Sequence, residues 1–367
     1  MNTLSKTECT ILRGIAILGI FIHNFCHLLP GIVKENEFTF KFSNSETLIN
    51  ALQHPDINLP INLISFFGHY GVALFLFLSG YGLVIKYERD REQSNDKTWS
   101  FISSFLSYNW LKLTRLCLVG IALYILLITL APNPHIFNWK TIVYSCTMTA
   151  NLRGLLPVPG AFWFFGLMIQ LYIIYCFLHQ YRHWSICTIA ILLSLALQYH
   201  FKESSYASTM IHINFIGHLL AFCAGIMVAR SNKSIKYRKI YWIIIWLVAT
   251  ILFIVLSTSF IGWLFVPLFI IISAIAFIRI LPQPAYMPFK WVGVVSASIF
   301  IAHPVLRDLF LQVYQGQHLY SSILVYFIAV IFLSLIVNNI LKTIPSPRQR
   351  LTQARLNREF LKAKFKD

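Results

Sequence analysis

Long apolar runs follow one another along most of this chain, separated by short polar stretches. They fall at about residues 11–29, 61–85, 111–131, 163–179, 185–200, 212–229, 240–258, 260–281, 292–312 and 320–342. Crossing the hydrocarbon core of a bilayer takes about 20 apolar residues in a helix. A span must also satisfy its own backbone hydrogen bonds, and a helix does this within one segment. The pattern therefore predicts an all-α integral membrane protein, a bundle of about ten transmembrane helices over 1–345 with a basic tail over 346–367. The first run is followed by no small-residue cleavage site, so it reads as a span rather than a signal peptide. The run 141–152, TIVYSCTMTANL, is a borderline extra.

Loop charge decides about that extra. Basic residues gather in KYERDREQSNDK (86–97) with Lys112 and Arg115, in RSNKSIKYRK (230–239), and from Lys342 to the end. Ten spans put both termini and all three basic regions on the cytoplasmic side, as the positive-inside rule asks. An eleventh span would send RSNKSIKYRK outside, so 141–152 is expected as a re-entrant or surface piece within an external loop, 132–162. The other long external loop, 30–60, is mildly acidic. In the tail, Leu351, Leu356, Phe360 and Phe365 alternate with lysines and arginines, a pattern for a short helix lying on the inner leaflet. No inverted repeat of the transporter kind is visible.

Composition agrees and narrows the classes. The chain is 57% hydrophobic and 12% charged, with mean hydropathy +0.67, whereas soluble domains are about a quarter charged. A net charge of +17 raises nucleic acid as a partner. The cations flank apolar runs, however, where they set topology and meet anionic lipid, so no nucleic-acid partner is expected. Seven cysteines lie mostly inside apolar runs without a C-x-x-C pair; they read as small hydrophobes.

Polar groups inside the runs carry the chemistry, because an ionisable side chain in a span is expensive and usually faces a cavity. The first run, LRGIAILGIFIHNFCHLLP, places Arg13 at its start and His23 ten residues on, a rise of about 15 Å. His27 shares the face of His23 at i+4, with Asn24 beside it. His23 reads either as a neutral histidine hydrogen-bonded in the bundle or as a site residue. With His27 it has metal-ligand spacing, but no third ligand is evident and no metal is expected. Lys112 and Arg115, at i and i+3, are either a topological flank or a phosphate clamp. Trp163 opens a run as an interfacial anchor, and Gln170 below it is of the kind that glues helices. His303, Arg307 and Asp308 share a run, where Asp308 either pairs with Arg307 or acts. In FLFLSGYGL (75–83), Ser79, Gly80 and Gly82 permit close helix approach or a bend.

As a set, LRGIAILGIFIH, FLFLSGYGL, LKLTR, FWFFGLMIQLY and SIFIAHPV resemble the acyltransferase 3 family of integral-membrane O-acyltransferases, in the family's order and over nearly the whole chain. The resemblance implies transfer of an acyl group, most often acetyl, from cytosolic acyl-CoA to a cell-surface or exported carbohydrate or glycolipid. It also implies a multi-pass protein of the cell (inner) membrane, with acyl-CoA as co-substrate and no tightly bound cofactor. It assigns donor binding to Arg13, Lys112 and Arg115, and catalysis to the histidine of the first span. Asn24, His27, Trp163, Gln170 and His303 are candidates for lining the site. Two departures stand out. Nine residues separate Arg13 from His23 where the family usually has ten, so Asn24 holds the more usual spot; Gln170 stands where an acidic residue is common.

The chemistry suits an imidazole, which can accept a hydroxyl proton without carrying a permanent charge into the bilayer. His23 is accordingly the expected base of a direct transfer, with a transient acyl-histidine as the variant; no G-x-S-x-G elbow is present. The competing class is a proton-coupled transporter or exporter using His23, His303 and Asp308 as a relay.

Overall fold

The computed structural model describes residues 4–89, 98–131, 138–231, 237–314 and 318–347. Over these residues it is helical, with no strand. The basic segment 348–367, expected on the inner leaflet, lies outside the described residues. In chain order come α1 (Lys6–Cys26), α2 (Phe42–Gln53), α3 (Leu59–Phe67), α4 (Gly71–Val84), α5 (Thr98–Thr129), α6 (Trp139–Cys146), α7 (Trp163–Gln180) and α8 (Trp184–His200). Then follow α9 (Ser205–His212), α10 (Leu219–Ser231), α11 (Lys239–Leu256), α12 (Phe260–Ile280), α13 (Tyr286–Val294), α14 (Ser296–Val313) and α15 (Leu319–Thr343).

Among the described residues, seven helices are long and apolar enough to cross a membrane, and nine spans result if each of two bent pairs counts as one. The expected ten is not reached by this count. The expected span 185–200 is α8, which at 17 residues is shorter than the others. The bent pairs are residues 206–231, broken by 59°, and 283–313, broken by 68°. A third expectation also shifts. The helix carrying Lys112 begins at Thr98 rather than near 111, so Lys112 sits about 21 Å along it instead of at its edge. The borderline run 141–152 forms α6, whose eight residues rise about 12 Å and cannot span.

α1 lies at the centre of the packing. Its start is fixed by a capping box: the Ser5 hydroxyl accepts from the Glu8 amide at 3.2 Å, and the Glu8 carboxylate accepts from the Ser5 amide at 2.7 Å. Glu8 also pairs with Arg279 of α12 at 2.7 Å. Backbone meets backbone where α1 crosses α13, and a Cβ on Gly14 or Gly293 would collide with the facing main chain. Gly80 of α4 and Gly225 of α10 make the same kind of crossing. The small-residue stretch 79–82 thus serves close approach at Gly80, whereas a side chain on Gly82 would meet nothing within 4 Å.

Candidate functional site

That empty space at Gly82 belongs to a cavity of 460 Å³ bounded by α1, α4, α5, α7, α14 and the loop between α1 and α2. Its two ends differ in chemistry. One end carries Arg13 of α1, Lys86 just past α4, and Lys112 of α5; Arg13 and Lys86 are the electrostatic neighbours of Lys112. The Lys86 ammonium lies 4.7 Å and 4.4 Å from the ring centres of Tyr87 and Tyr108, which holds a cation over aromatic faces. The other end carries Asn24, Val72, Trp163 and Glu37. Asn24 lies eleven positions along α1 from Arg13, a rise of about 16 Å. Between the ends the wall is mostly apolar, with Leu78, Phe164, Phe165, Met168 and Phe300.

Of the residues singled out from the sequence, Arg13, Lys112, Asn24 and Trp163 come together in this cavity, with Ser79 and Gly82 of α4. The others do not line it. His23 is 2% exposed, and its Nδ1–H donates to the Ser65 carbonyl at 2.6 Å. Its ring stacks on His27 at 4.5 Å and tilts against His69 at 5.3 Å. His27 donates from Nδ1 to the His23 carbonyl at 2.8 Å. His303 is fully buried, with Nδ1 3.2 Å from the Ile299 carbonyl. Arg115 lies three residues beyond Lys112, outside the lining. Gln170 is glue: its amide donates to Asn214 at 2.7 Å and accepts from the Phe215 amide at 3.0 Å. Asp308 is held by Arg307 at 2.7 Å and by the Tyr124 hydroxyl at 2.8 Å. That is the pairing expected of a structural carboxylate.

Two lining residues give little signal in the sequence. Lys86 stands there as one cation of a basic loop, and Glu37 as one acid of an acidic loop. The available hint for Glu37 is its setting, NEFTFKF, where phenylalanines recur at 38, 40 and 42 in a loop; such a stretch folds back on the bundle rather than into water. Glu37 is half-buried, with the Trp163 side chain beside its carboxylate. Burial pushes its carboxyl up to about 7, against which the polar edge of Trp163 works. Glu35, almost wholly buried, is likewise pushed up to about 7, opposed by hydrogen bonds from the Asn36 amide and the Asn44 side chain.

Glu37 also borders a second cavity of 50 Å³, lined by His69, Tyr70, Gln198, His212, His218 and Trp263. Among the described residues no three His, Cys, Asp or Glu side chains group to hold a metal ion.

A family model for an acyltransferase domain matches residues 8–341, nearly the entire chain. The chain belongs to the acyltransferase 3 family. It is a multi-pass membrane protein with an acyltransferase domain. No curated protein and no solved structure matches it significantly. The family assignment draws attention to the cavity, since the matched region supplies every residue of its wall.

Proposed function

We propose that this family member moves an acyl group, acetyl in the first instance, from cytosolic acyl-CoA to a hydroxyl of a cell-surface or exported carbohydrate. The observation that carries this reading is the polarity of the cavity. Three cations from three separate parts of the chain line one end, and a carboxylate with an indole lines the other. Phosphates of a CoA-type donor suit the first end, where Arg13, Lys86 and Lys112 offer charge-assisted hydrogen bonds. The apolar wall suits a pantetheine arm, which would bring the thioester toward Asn24, Trp163 and Glu37. The loop charges support a cytosolic cationic end, with donor and acceptor entering from opposite faces of the inner membrane.

The test uses inverted membrane vesicles from cells that make the chain, supplied with radiolabelled acetyl-CoA. Label is expected in the glycan fraction. Arg13→Ala or Lys112→Ala should raise the donor KM about ten- to hundredfold, the loss of one hydrogen bond to a charged group at about 1.5–3 kcal/mol. Vesicles that fix no label above those lacking the chain would sink the reading. Mass spectrometry of the glycans, with and without the chain, then identifies the acceptor by a shift of one acyl mass.

A further inference from the structure

The cavity confronts acyl transfer with a difficulty: the hydroxyl proton needs an acceptor, and no histidine lines it among the described residues. Asn24 occupies the wall next to His23. An amide accepts no proton near neutral pH, and this one is engaged besides, donating to the Ile20 carbonyl at 2.9 Å and accepting from Arg307 at 3.4 Å. Among the described residues, the ionisable lining groups are three cations, three tyrosines and one carboxylate. Cations held for phosphate, and phenols that keep their own proton at neutral pH, make poor bases. Only the carboxylate remains.

We propose that Glu37 is the catalytic base of acyl transfer in this protein, an inference that rests on the acyltransferase reading above. It lines the end remote from the cations, where a thioester anchored by its CoA phosphates would arrive. Trp163 lies beside it and packs edge-on against Phe38, the next residue, at 5.2 Å, which fixes the carboxylate's segment against α7. The loop is fixed too. The Asn36 side chain accepts from the amides of Phe38 and Thr39 at 2.9 and 3.0 Å, a turn closed around Glu37. Upstream, the Val33 amide donates to Asn62 at 3.1 Å, and the Ser65 hydroxyl donates to the Val33 carbonyl.

This tether gives His23 a part. It donates to the carbonyl of Ser65, the same residue whose hydroxyl holds Val33. His23 is thus a positioning residue: it braces α3 against α1 and, through Ser65, the loop that presents Glu37.

The step balances without a co-reactant. The Glu37 carboxylate takes the acceptor hydroxyl proton as the oxygen attacks the thioester carbonyl and a C–O bond forms. Collapse of the tetrahedral oxyanion breaks the C–S bond. The departing thiolate takes the proton back from Glu37, giving free CoA thiol, the ester, and Glu37 as a carboxylate again. A carboxyl held near 7 by burial is matched to accepting and returning one proton at neutral pH. The groups that share its two cavities are Arg13, Lys86, Lys112, Tyr87, Tyr108 and Tyr172 on one side, and Tyr70, His69, His212 and His218 on the other. Glu35 lies two residues away.

The test compares wild type with Glu37→Gln, Glu37→Asp and His23→Gln in the labelled acetyl-CoA vesicle assay from pH 5.5 to 9, with acetyl-CoA binding to each purified chain measured separately. Glutamine keeps the shape and a side-chain oxygen beside Trp163. Expected is a loss of about a hundredfold or more in rate for Glu37→Gln, with acetyl-CoA affinity unchanged within about threefold. Glu37→Asp should recover part of the rate, and the wild-type rate should fall below about pH 7. His23→Gln should be slower while keeping that acid limb. The inference is overturned if Glu37→Gln stays within tenfold of wild type, or if it keeps the acid limb while His23→Gln loses it. A Glu37→Gln chain that no longer binds acetyl-CoA also overturns it, since the residue would then be structural. Wild-type vesicles that transfer no label overturn the acyltransferase reading itself, a distinct result.

Discussion

Asn24 and His23 are neighbours in sequence but about 100° apart around the axis of α1, and that angle separates a cavity wall from a buried stack of imidazoles. The one-residue offset from the family's usual spacing is visible in the sequence; its consequence is not, because the rotation of a helix is set by what packs around it. Here Gly68 matters, since a Cβ there would come within 2.6 Å of the His23 Cβ. Gly82 offers the opposite test. With nothing within 4 Å of the position a Cβ would take, Gly82→Leu should fold and express as wild type yet weaken acetyl-CoA binding at least tenfold, which titration of the purified chain checks. Glu35 provides a pH test at the same scale. Its folded carboxyl near 7 exceeds the usual 4.5, so the folded state holds the proton more tightly than the unfolded chain. Stability of the loop is then full below about pH 4.5 and declines as pH rises through 7. Hydrogen exchange over residues 31–41 should be faster at pH 8 than at pH 6 after correction for intrinsic rates, and Glu35→Gln should flatten the difference.

Among the elements, the two broken pairs carry the most information. The break between α9 and α10 frees backbone groups inside the bundle, and Asn214 at the break and Gln170 of α7 satisfy them. Asn214 donates to Met210 and Asn151 carbonyls at 2.8 and 3.2 Å, while Gln170 caps the Phe215 amide. Hydropathy sees only a long apolar run here, since the partners that permit the bend lie 44 and more residues away. Gln170→Leu keeps bulk but orphans the Phe215 amide and Asn214. It should cost about 2 kcal/mol, read as a lower melting temperature in detergent, with acetyl-CoA affinity of the folded fraction retained. α5 teaches a related lesson. Its polar first turns mask a helix of 32 residues, and Lys112 therefore enters the cavity wall from well inside the helix.

At the scale of the whole molecule, one ion pair ties three parts of the bundle together. Arg230 of α10 grips Glu88 with two nitrogens at 2.9 Å and also donates to the Leu178 carbonyl at 2.7 Å, while Tyr175 donates to Glu88 at 3.2 Å. Both ions are largely buried. Glu88→Ala leaves a buried guanidinium without its partner and should destabilise the bundle by about 3–5 kcal/mol. Glu88→Leu combined with Arg230→Met should recover most of it, as thermal denaturation would show. Reading along the chain is enough to show that it is helical, lies in a membrane, follows the acyltransferase 3 pattern, and sets Arg13 and Lys112 as cations at apolar runs. Those properties follow from local composition, which a helix in lipid expresses residue by residue. That Asn24 and Glu37, rather than His23, face the cavity emerges from the folded bundle alone. Helix rotation and the path of a loop depend on close packing between segments distant in the chain, and no local pattern encodes that.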